Sequence, residues 1–366
     1  LVNVAANKLS FEMTIRSYLT PLLAGSDAAR FDAFVRDSPF AAYQQSRAWS
    51  QAAPRHARRD WRFFTVFEGD ALIGACVIRA THLAMGAWLA TVQRGPIVHD
   101  PERLPIVLDE LRATLRAAGC CSVQIGPRVR GRALPDMAEA MRGAGFAPVP
   151  AEEQALHHVT GVVWLDKPEE EVLAGFKQRA RRALRSAEKA GITVRPVQAG
   201  DDLDRYQRLL DAFGASRPDY DRSGQLDAVG QAQMIEALGG GMLLAERDGT
   251  AIGGHAFVRQ ADEAIWLSLA TVDRDGASPG YPLLWEGMRR AHAMGCVAFD
   301  LAGLPDGEPS DAGEAGRLQF KNAFAPHRRL MPPMQVAALA PLRHTMLLGA
   351  RRVYRGLKRW RGAANG

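Results

Sequence analysis

Met242-Leu243-Leu244-Ala245-Glu246-Arg247-Asp248-Gly249-Thr250-Ala251-Ile252-Gly253-Gly254-His255-Ala256-Phe257-Val258-Arg259 reads as two apolar, strand-forming runs around an Arg247-Asp248-Gly249 turn. An acidic residue followed by glycine between such runs is a strong hairpin signal. Moving outward, 264–272 reads as a further strand, 282–294 as a helix and 297–301 as a strand. The same order occurs earlier in the chain. A hairpin at 61–79 turns on Glu68-Gly69-Asp70, a strand at 87–93 ends at Arg94-Gly95-Pro96, and a strand follows at 122–125. Between those last two, 103–118 carries apolar residues at 104, 107, 108, 111 and 115, the spacing of an amphipathic helix. Hairpin, strand, helix and strand thus recur about 180 residues apart, and the sequence predicts a duplicated α/β domain with mixed sheets.

Size and composition agree with two domains. The chain has 366 residues, which exceeds one ordinary core, and 47% hydrophobic with 23% charged residues describes a globular protein. A net charge of +6 favours anionic partners over cationic ones. No apolar run is long enough to span a bilayer, so the expected location is cytoplasmic. Cys76, Cys120, Cys121 and Cys296 sit in or beside apolar runs without metal-ligand spacing, and buried thiols are expected rather than zinc or disulfides.

Basic charge is concentrated in two places. The run 165–191 begins Leu165-Asp166-Lys167-Pro168, continues through Glu169, Glu170 and Glu171, and then carries Lys177, Arg179, Arg181, Arg182, Arg185 and Lys189 before Gly191. Acid first and base last is the polarity a helix dipole favours, and a single helix is predicted. Two readings of its cations stand: a solvated face or a docking strip for phosphates. The second place is 342–361, where apolar residues at helical spacing oppose Arg343, Arg351, Arg352, Arg355, Lys358, Arg359 and Arg361. Such a helix suits an anionic leaflet, the phosphates of a tRNA acceptor stem, or packing across the first domain.

The order of elements is that of the GCN5-related N-acyltransferase (GNAT) fold. More specifically, the chain resembles the FemABX family of peptidoglycan-bridge aminoacyltransferases, built from tandem domains of that fold. The carriers are Gln45-Ser46-Arg47-Ala48-Trp49, Arg94-Gly95-Pro96, the basic helix, Leu283-Leu284-Trp285-Glu286, Phe299-Asp300-Leu301-Ala302-Gly303 and Phe320-Lys321-Asn322-Ala323-Phe324. The resemblance implies domains at 28–158 and 159–330, with 331–366 as a helical tail returning to the first. It also implies transfer of an aminoacyl group from aminoacyl-tRNA to an amine of a phosphate-bearing cell-envelope precursor, without a cofactor. Arg181 then matches the arginine that contacts the precursor's diphosphate, with Arg182, Arg185, Lys177, Trp49, Arg94 and Gly95 beside it as binding residues. Lys321 matches the lysine near the reaction centre. Where the family often has a lysine four residues after the tryptophan, this chain has Ala53, with Arg55 or Arg58 as substitutes.

Aminolysis of an ester needs the amine held near the carbonyl and stabilisation of the oxyanion formed on attack. Lys321, between apolar residues, supplies a positive charge for that oxyanion or else snorkels at a strand edge. Asp100 is the acidic candidate for taking the amine's proton, Asp100-Pro101 is also a good helix N-cap pair, and proton loss assisted by the substrate with no protein base stands beside both. Asp300 is placed at the mouth of a sheet and is also suited to holding the Ala302-Gly303 turn. No metal is expected. Arg181 and Lys321 are expected to converge on one pocket. Pro96 and Pro279 remove amide donors that a coenzyme A diphosphate would use, so acyl coenzyme A is the less favoured donor. The alternatives are an acyl-CoA-dependent N-acyltransferase for surface polysaccharide and a non-catalytic tRNA- or membrane-binding protein.

Overall fold

The computed structural model describes residues 14–83, 86–128, 133–150, 154–216, 224–272, 276 and 278–341. In chain order the first half runs β1 (Ile15–Thr20), α1 (Gly25–Asp37), α2 (Arg47–Ala52), β2 (Arg59–Glu68), β3 (Ala71–His82), β4 (Trp88–Gln93), α3 (Leu104–Ala117), β5 (Cys120–Gly126), α4 (Ala133–Gly143) and β6 (Ala147–Pro148). The second half runs β7 (Val159–Trp164), α5 (Glu169–Gly175), α6 (Gln178–Lys189), β8 (Thr193–Pro196), α7 (Asp201–Ala215), α8 (Ala228–Leu238), β9 (Gly240–Arg247) and β10 (Thr250–Gln260). It continues with β11 (Glu263–Thr271), α9 (Gly280–Ala293), β12 (Ala298–Leu304), α10 (Ala312–Asn322), β13 (His327–Leu330) and β14 (Gln335–Ala338). Two seven-stranded mixed sheets result, ordered β1-β2-β3-β4-β5-β14-β6 and β13-β7-β12-β11-β10-β9-β8.

Local sequence explains the repeated core. In the β9–β10 turn both Asp248 (φ 51°) and Gly249 (φ 73°) are left-handed, the state a tight hairpin requires. In α3 the apolar positions Leu104, Val107, Leu108, Leu111 and Leu115 are all buried, packed on Phe64, Ile78, Val92 and Ile125 of the first sheet. The second core is aromatic, with Phe257, Phe299 and Phe324 beneath α9. All four cysteines are buried and free.

Three features depart from the sequence reading. Strand β1 lies upstream of the expected boundary at residue 28 and pairs with β2. Within the expected helical tail, β14 is a strand that enters the first sheet between β5 and β6. The basic helix is two helices, because Phe176 turns extended (φ −67°, ψ 148°) to bury its ring against Trp285 and Phe324. Gly191, at φ 69°, ends α6 as expected.

The parallel strand pairs at the two sheet centres differ. β4 and β5 pair from one end to the other, Trp88–Gln93 against Cys120–Gly126. β11 and β12 pair only where Glu263, Ala264 and Ile265 meet Ala298, Phe299 and Asp300. Beyond Ile265 they diverge, and a cavity opens there.

Candidate active site

A cavity of about 1880 Å³ lies between the two sheets and is lined by both domains. Its frame is an inter-domain seam. Glu263, at the base of the β11–β12 opening, accepts from Arg128 of the first domain at 2.7 Å and from Arg329 of β13 at 2.7 and 3.0 Å. Arg128 also donates to the Ala41 carbonyl, and the Tyr43 amide donates to Gln260 at 2.5 Å. Apolar packing of Trp49 and Ala52 on Leu226, Met234 and Val258 completes the joint.

On the second-domain wall, β12 bulges after Asp300, with Ala302 at φ 60°. A bulge re-aims the groups beside it. Here the Gly303 carbonyl accepts a 2.7 Å hydrogen bond from Lys321 Nζ on α10, and the ammonium sits 4.9 Å from the centre of the Trp266 ring. Burial lowers the Lys321 pKa to about 8, with Asp300 opposing and Arg317 reinforcing the shift. Asp300, 6% exposed, is raised by burial, against the Ala302 amide that donates to it at 2.8 Å and the nearby charges of Arg329 and Arg128. The two groups are thus a buried acid and a half-buried base, each shifted toward its neutral form, facing one cavity.

The first-domain wall is built by the Gln45-to-Trp49 segment. Gln45, fully buried, accepts from the Val77 amide at 2.7 Å and donates to the Gln93 carbonyl at 2.6 Å, so it ties β3 to β4. A Cβ on Gly95 would run 2.6 Å from the Gln45 side chain, so Gly95 admits Gln45, and it is not part of the cavity lining. Ser46 caps α2 through the Trp49 amide, and Arg47 grips Asp32. These bonds set Trp49, Tyr43 and Arg94 on the cavity wall. Burial pushes the Tyr43 phenol up to about 12, with the Arg94 charge opposing. Arg94 takes a left-handed backbone (φ 60°), a sparsely populated state for arginine, and donates from Nη2 to the His157 carbonyl at 2.8 Å. His157 lies over Gly303, whose missing Cβ leaves room for the ring. Desolvation together with the Lys321 and Arg94 charges lowers its pKa to about 4, although one side of the residue opens to solvent.

The cavity is cationic. Arg55, Arg59, Arg79 and Arg94 on the first domain and Arg317 and Lys321 on the second face Asp60, Asp300 and Glu314. Asp60 is engaged with Arg62 and His82, and Glu314 with the Ser310 amide of the α10 cap. Several polar atoms of the lining are buried without a partner: Trp49 Nε1, Arg79 Nε, Arg94 Nη1 and Thr160 Oγ1. An unsatisfied buried donor costs roughly 1–3 kcal/mol, so a ligand that supplies acceptors here gains what the free protein lacks.

The structure brings together Lys321, Asp300, Trp49 and Arg94. It separates the others. Asp100 lies outside the cavity as the exposed cap of a short turn, accepting from the Glu102 amide at 2.9 Å. Arg182 and Arg185 are exposed on the outer face of α6, whose inner face buries Ala180 and Ala187. Arg181, half-buried, donates at 3.3 Å to the Ala174 carbonyl at the end of α5. Lys177 borders a smaller hollow of about 320 Å³ beside α10. The expected convergence of Arg181 with Lys321 is therefore not observed: helix α6 turns its cations outward because its alanines face the core. Of the two candidate substitutes for Ala53, Arg55 lines the cavity and Arg58 does not. The sequence reading missed Tyr43, Thr160 and Trp266 as site residues. Tyr43, two residues before Gln45, was within reach of that motif, whereas Thr160 carries no local signal. The basic stretch 342–361 lies outside the described residues. No helix among the described residues is long and apolar enough to cross a membrane.

Two family models match the chain, the FemAB family over residues 27–143 and the acetyltransferase (GNAT) domain over residues 174–321. Among solved structures, FemX superposes with a TM-score of 0.76 at 16% identity, over 88% of this chain and 98% of its own. A conserved protein from Bacteroides thetaiotaomicron gives 0.54 at 12% identity over 85% and 96%, respectively. L-PGS from Bacillus licheniformis gives 0.51 at 13% over 81% and 90%. These likenesses concern the fold. No curated protein matches the chain in sequence. Fold, family models and site together define an acyltransferase of the tandem GNAT class. Within that class, the first domain is the part of the chain that matches the FemAB family model.

Proposed function

We propose that the protein transfers an aminoacyl group from aminoacyl-tRNA to an amine of a peptidoglycan precursor or related cell-envelope acceptor. The observation that carries this reading is the placement of Lys321 at the mouth of the β11–β12 opening, inside a cationic cavity walled by both domains. In this scheme the acceptor amine attacks the ester carbonyl, a C–N bond forms, the C–O bond to the ribose breaks, and the departing oxygen takes the proton that the amine releases. Lys321 in its charged form stabilises the oxyanion, and Asp300 holds the field that keeps that charge in place. The outward cations of α6 are assigned to tRNA phosphates rather than to the acceptor.

The start of α9 argues for tRNA over coenzyme A. The first turn of a helix offers free amides to a diphosphate, but here the cap is Pro279 and the third helical residue is Pro282, which leaves only the amides of Gly280 and Tyr281. The chemistry requires no cofactor. The test supplies the purified protein with an amine-bearing muropeptide and either charged tRNA or acetyl coenzyme A, and reads new amide by mass spectrometry. Product with charged tRNA alone is expected. Product with acetyl coenzyme A alone would replace this reading with an acyl-CoA N-acyltransferase, and no product with either would make the chain a binding protein.

A further inference from the structure

The described residues include eight buried polar side-chain atoms without a partner, and two of them, Arg94 Nη1 and Thr160 Oγ1, belong to cavity residues that are themselves more than nine-tenths buried. They come from different domains. Arg94 follows β4, and Thr160 stands on β7 directly opposite Gly303. A short chain of contacts joins them to the reaction centre. Arg94 Nη2 holds the His157 carbonyl, the His157 ring lies over Gly303, and the Gly303 carbonyl holds Lys321. One guanidinium donor and one hydroxyl are therefore left without partners on residues that line the same cavity as the lysine, one from each side of the seam.

We infer that Arg94 and Thr160 bind a free carboxylate of the acceptor, carried on or next to the carbon that bears the reacting amine. The group is an anion because Arg94 stays charged and donates only. It is a singly charged one because Asp300 borders the same end of the cavity, where a dianion would face a carboxylate, and the nearby cations Arg128 and Arg329 are already engaged by Glu263. The cations suited to phosphate, Arg55, Arg59 and Arg79, belong to another stretch of the first-domain wall, on and before β2 and on β3. A carboxylate seated at Arg94 would place the neighbouring amine toward Lys321, which makes Arg94 a specificity-determining residue: an acceptor with that carboxylate amidated would lose its anchor. The assignment rests on the proposed transfer only in treating the bound molecule as the acceptor.

Binding can be read without any donor, because Trp49, Trp61 and Trp266 line the cavity and report through their fluorescence. The probes are 2,6-diaminopimelate, in which amine and carboxylate share a carbon, and its diamide. The wild-type chain should bind the acid at least tenfold more tightly than the diamide. Arg94→Gln should erase that preference by weakening the acid roughly 10- to 100-fold, and Thr160→Val by a few-fold. Arg94→Lys, which keeps the charge and guards against misfolding of the Gln variant, should restore part of the preference. Equal affinity for acid and diamide in the wild type would overturn the inference, as would an unchanged preference in both Arg94→Gln and Thr160→Val. Displacement of the acid by equimolar inorganic phosphate would overturn the choice of a carboxylate. Acid-selective binding in a protein that forms no amide from charged tRNA would leave this inference standing and remove the proposed function instead.

Discussion

The two domains share an order of elements but treat their central parallel strands in opposite ways. In the first, β4 and β5 remain paired throughout and Val92 and Ile125 are fully buried between α3 and the sheet. In the second, β11 and β12 separate after Ile265 and Asp300, and Trp266 and Ser268, still paired with β10, line the cavity instead of a ladder with β12. Ligands of open α/β sheets sit at the carboxyl ends of such strands. After duplication, one copy keeps the strand pair as core and serves as a wall, while the other keeps it as a mouth. The bulge at Ala302 and the lysine bound to Gly303 have no counterpart at Gly126, where β5 ends against Leu156 and Met334.

The largest effect is expected where the closed domain props the open one. Glu263→Ala would leave Arg128 buried beside a lost partner, and breaking a buried pair costs about 3–5 kcal/mol. Urea denaturation should register that loss; a change below about 1 kcal/mol would mean that the seam, and with it the contrast between the domains, does not depend on the ion pair. Next is Lys321→Ala, which should lower kcat roughly 100-fold with little change in KM if it removes an oxyanion donor. Because charged Lys321 acts and its pKa is about 8, wild-type kcat should fall as pH rises through 8, and Lys321→Arg should flatten that limb. An unchanged limb would place the reaction outside the second-domain mouth.

A third difference is a fully buried histidine that, among the described residues, only the second domain holds. His255, the one buried histidine among the described residues, donates from Nδ1 to the Ser268 carbonyl and is held by burial near pKa 4. The unfolded chain, with a histidine near 6.5, binds the extra proton first, so stability is full above about pH 6.5 and is lost as pH falls toward 4, by on the order of 3 kcal/mol at most. Hydrogen exchange at pH 4.5 should therefore open β10 and β11 before β2 to β5, and His255→Leu should remove the bias. Uniform opening would show that the domains are not separately sensitive. The smallest effect is that of Arg181→Ala, about two- to threefold on the KM for charged tRNA at low salt, with the acceptor KM unchanged. A larger effect on the acceptor would return α6 to the cavity.

The repeated hairpin, strand, helix and strand were legible because their signals are local: a period-2 run, an Asp-Gly turn, an apolar stripe on α3. Strands β1 and β14 were not, since short runs such as Gln335–Ala338 become strands only when an existing edge accepts them. At the site, Lys321, Asp300, Trp49 and Arg94 were found through their surrounding motifs. The separation of Arg181 from Lys321 was hidden because both sit on helices whose charge pattern is visible in sequence and whose facing is decided by packing, Ala180 and Ala187 inward in one case and Phe320 beside Trp266 in the other. Thr160 was invisible for the same reason: an orphan hydroxyl is defined by its neighbours.

The insertion of β14 between β5 and β6 bears on synthesis of the chain. While residues 15–148 emerge from the ribosome, the first sheet has a gap beside β5 that Gln335–Ala338 fills, after the whole second domain has been made. The earlier-made half must wait, its strand edge uncovered, for the later-made half to finish it, so the two folding units are completed together and not in turn.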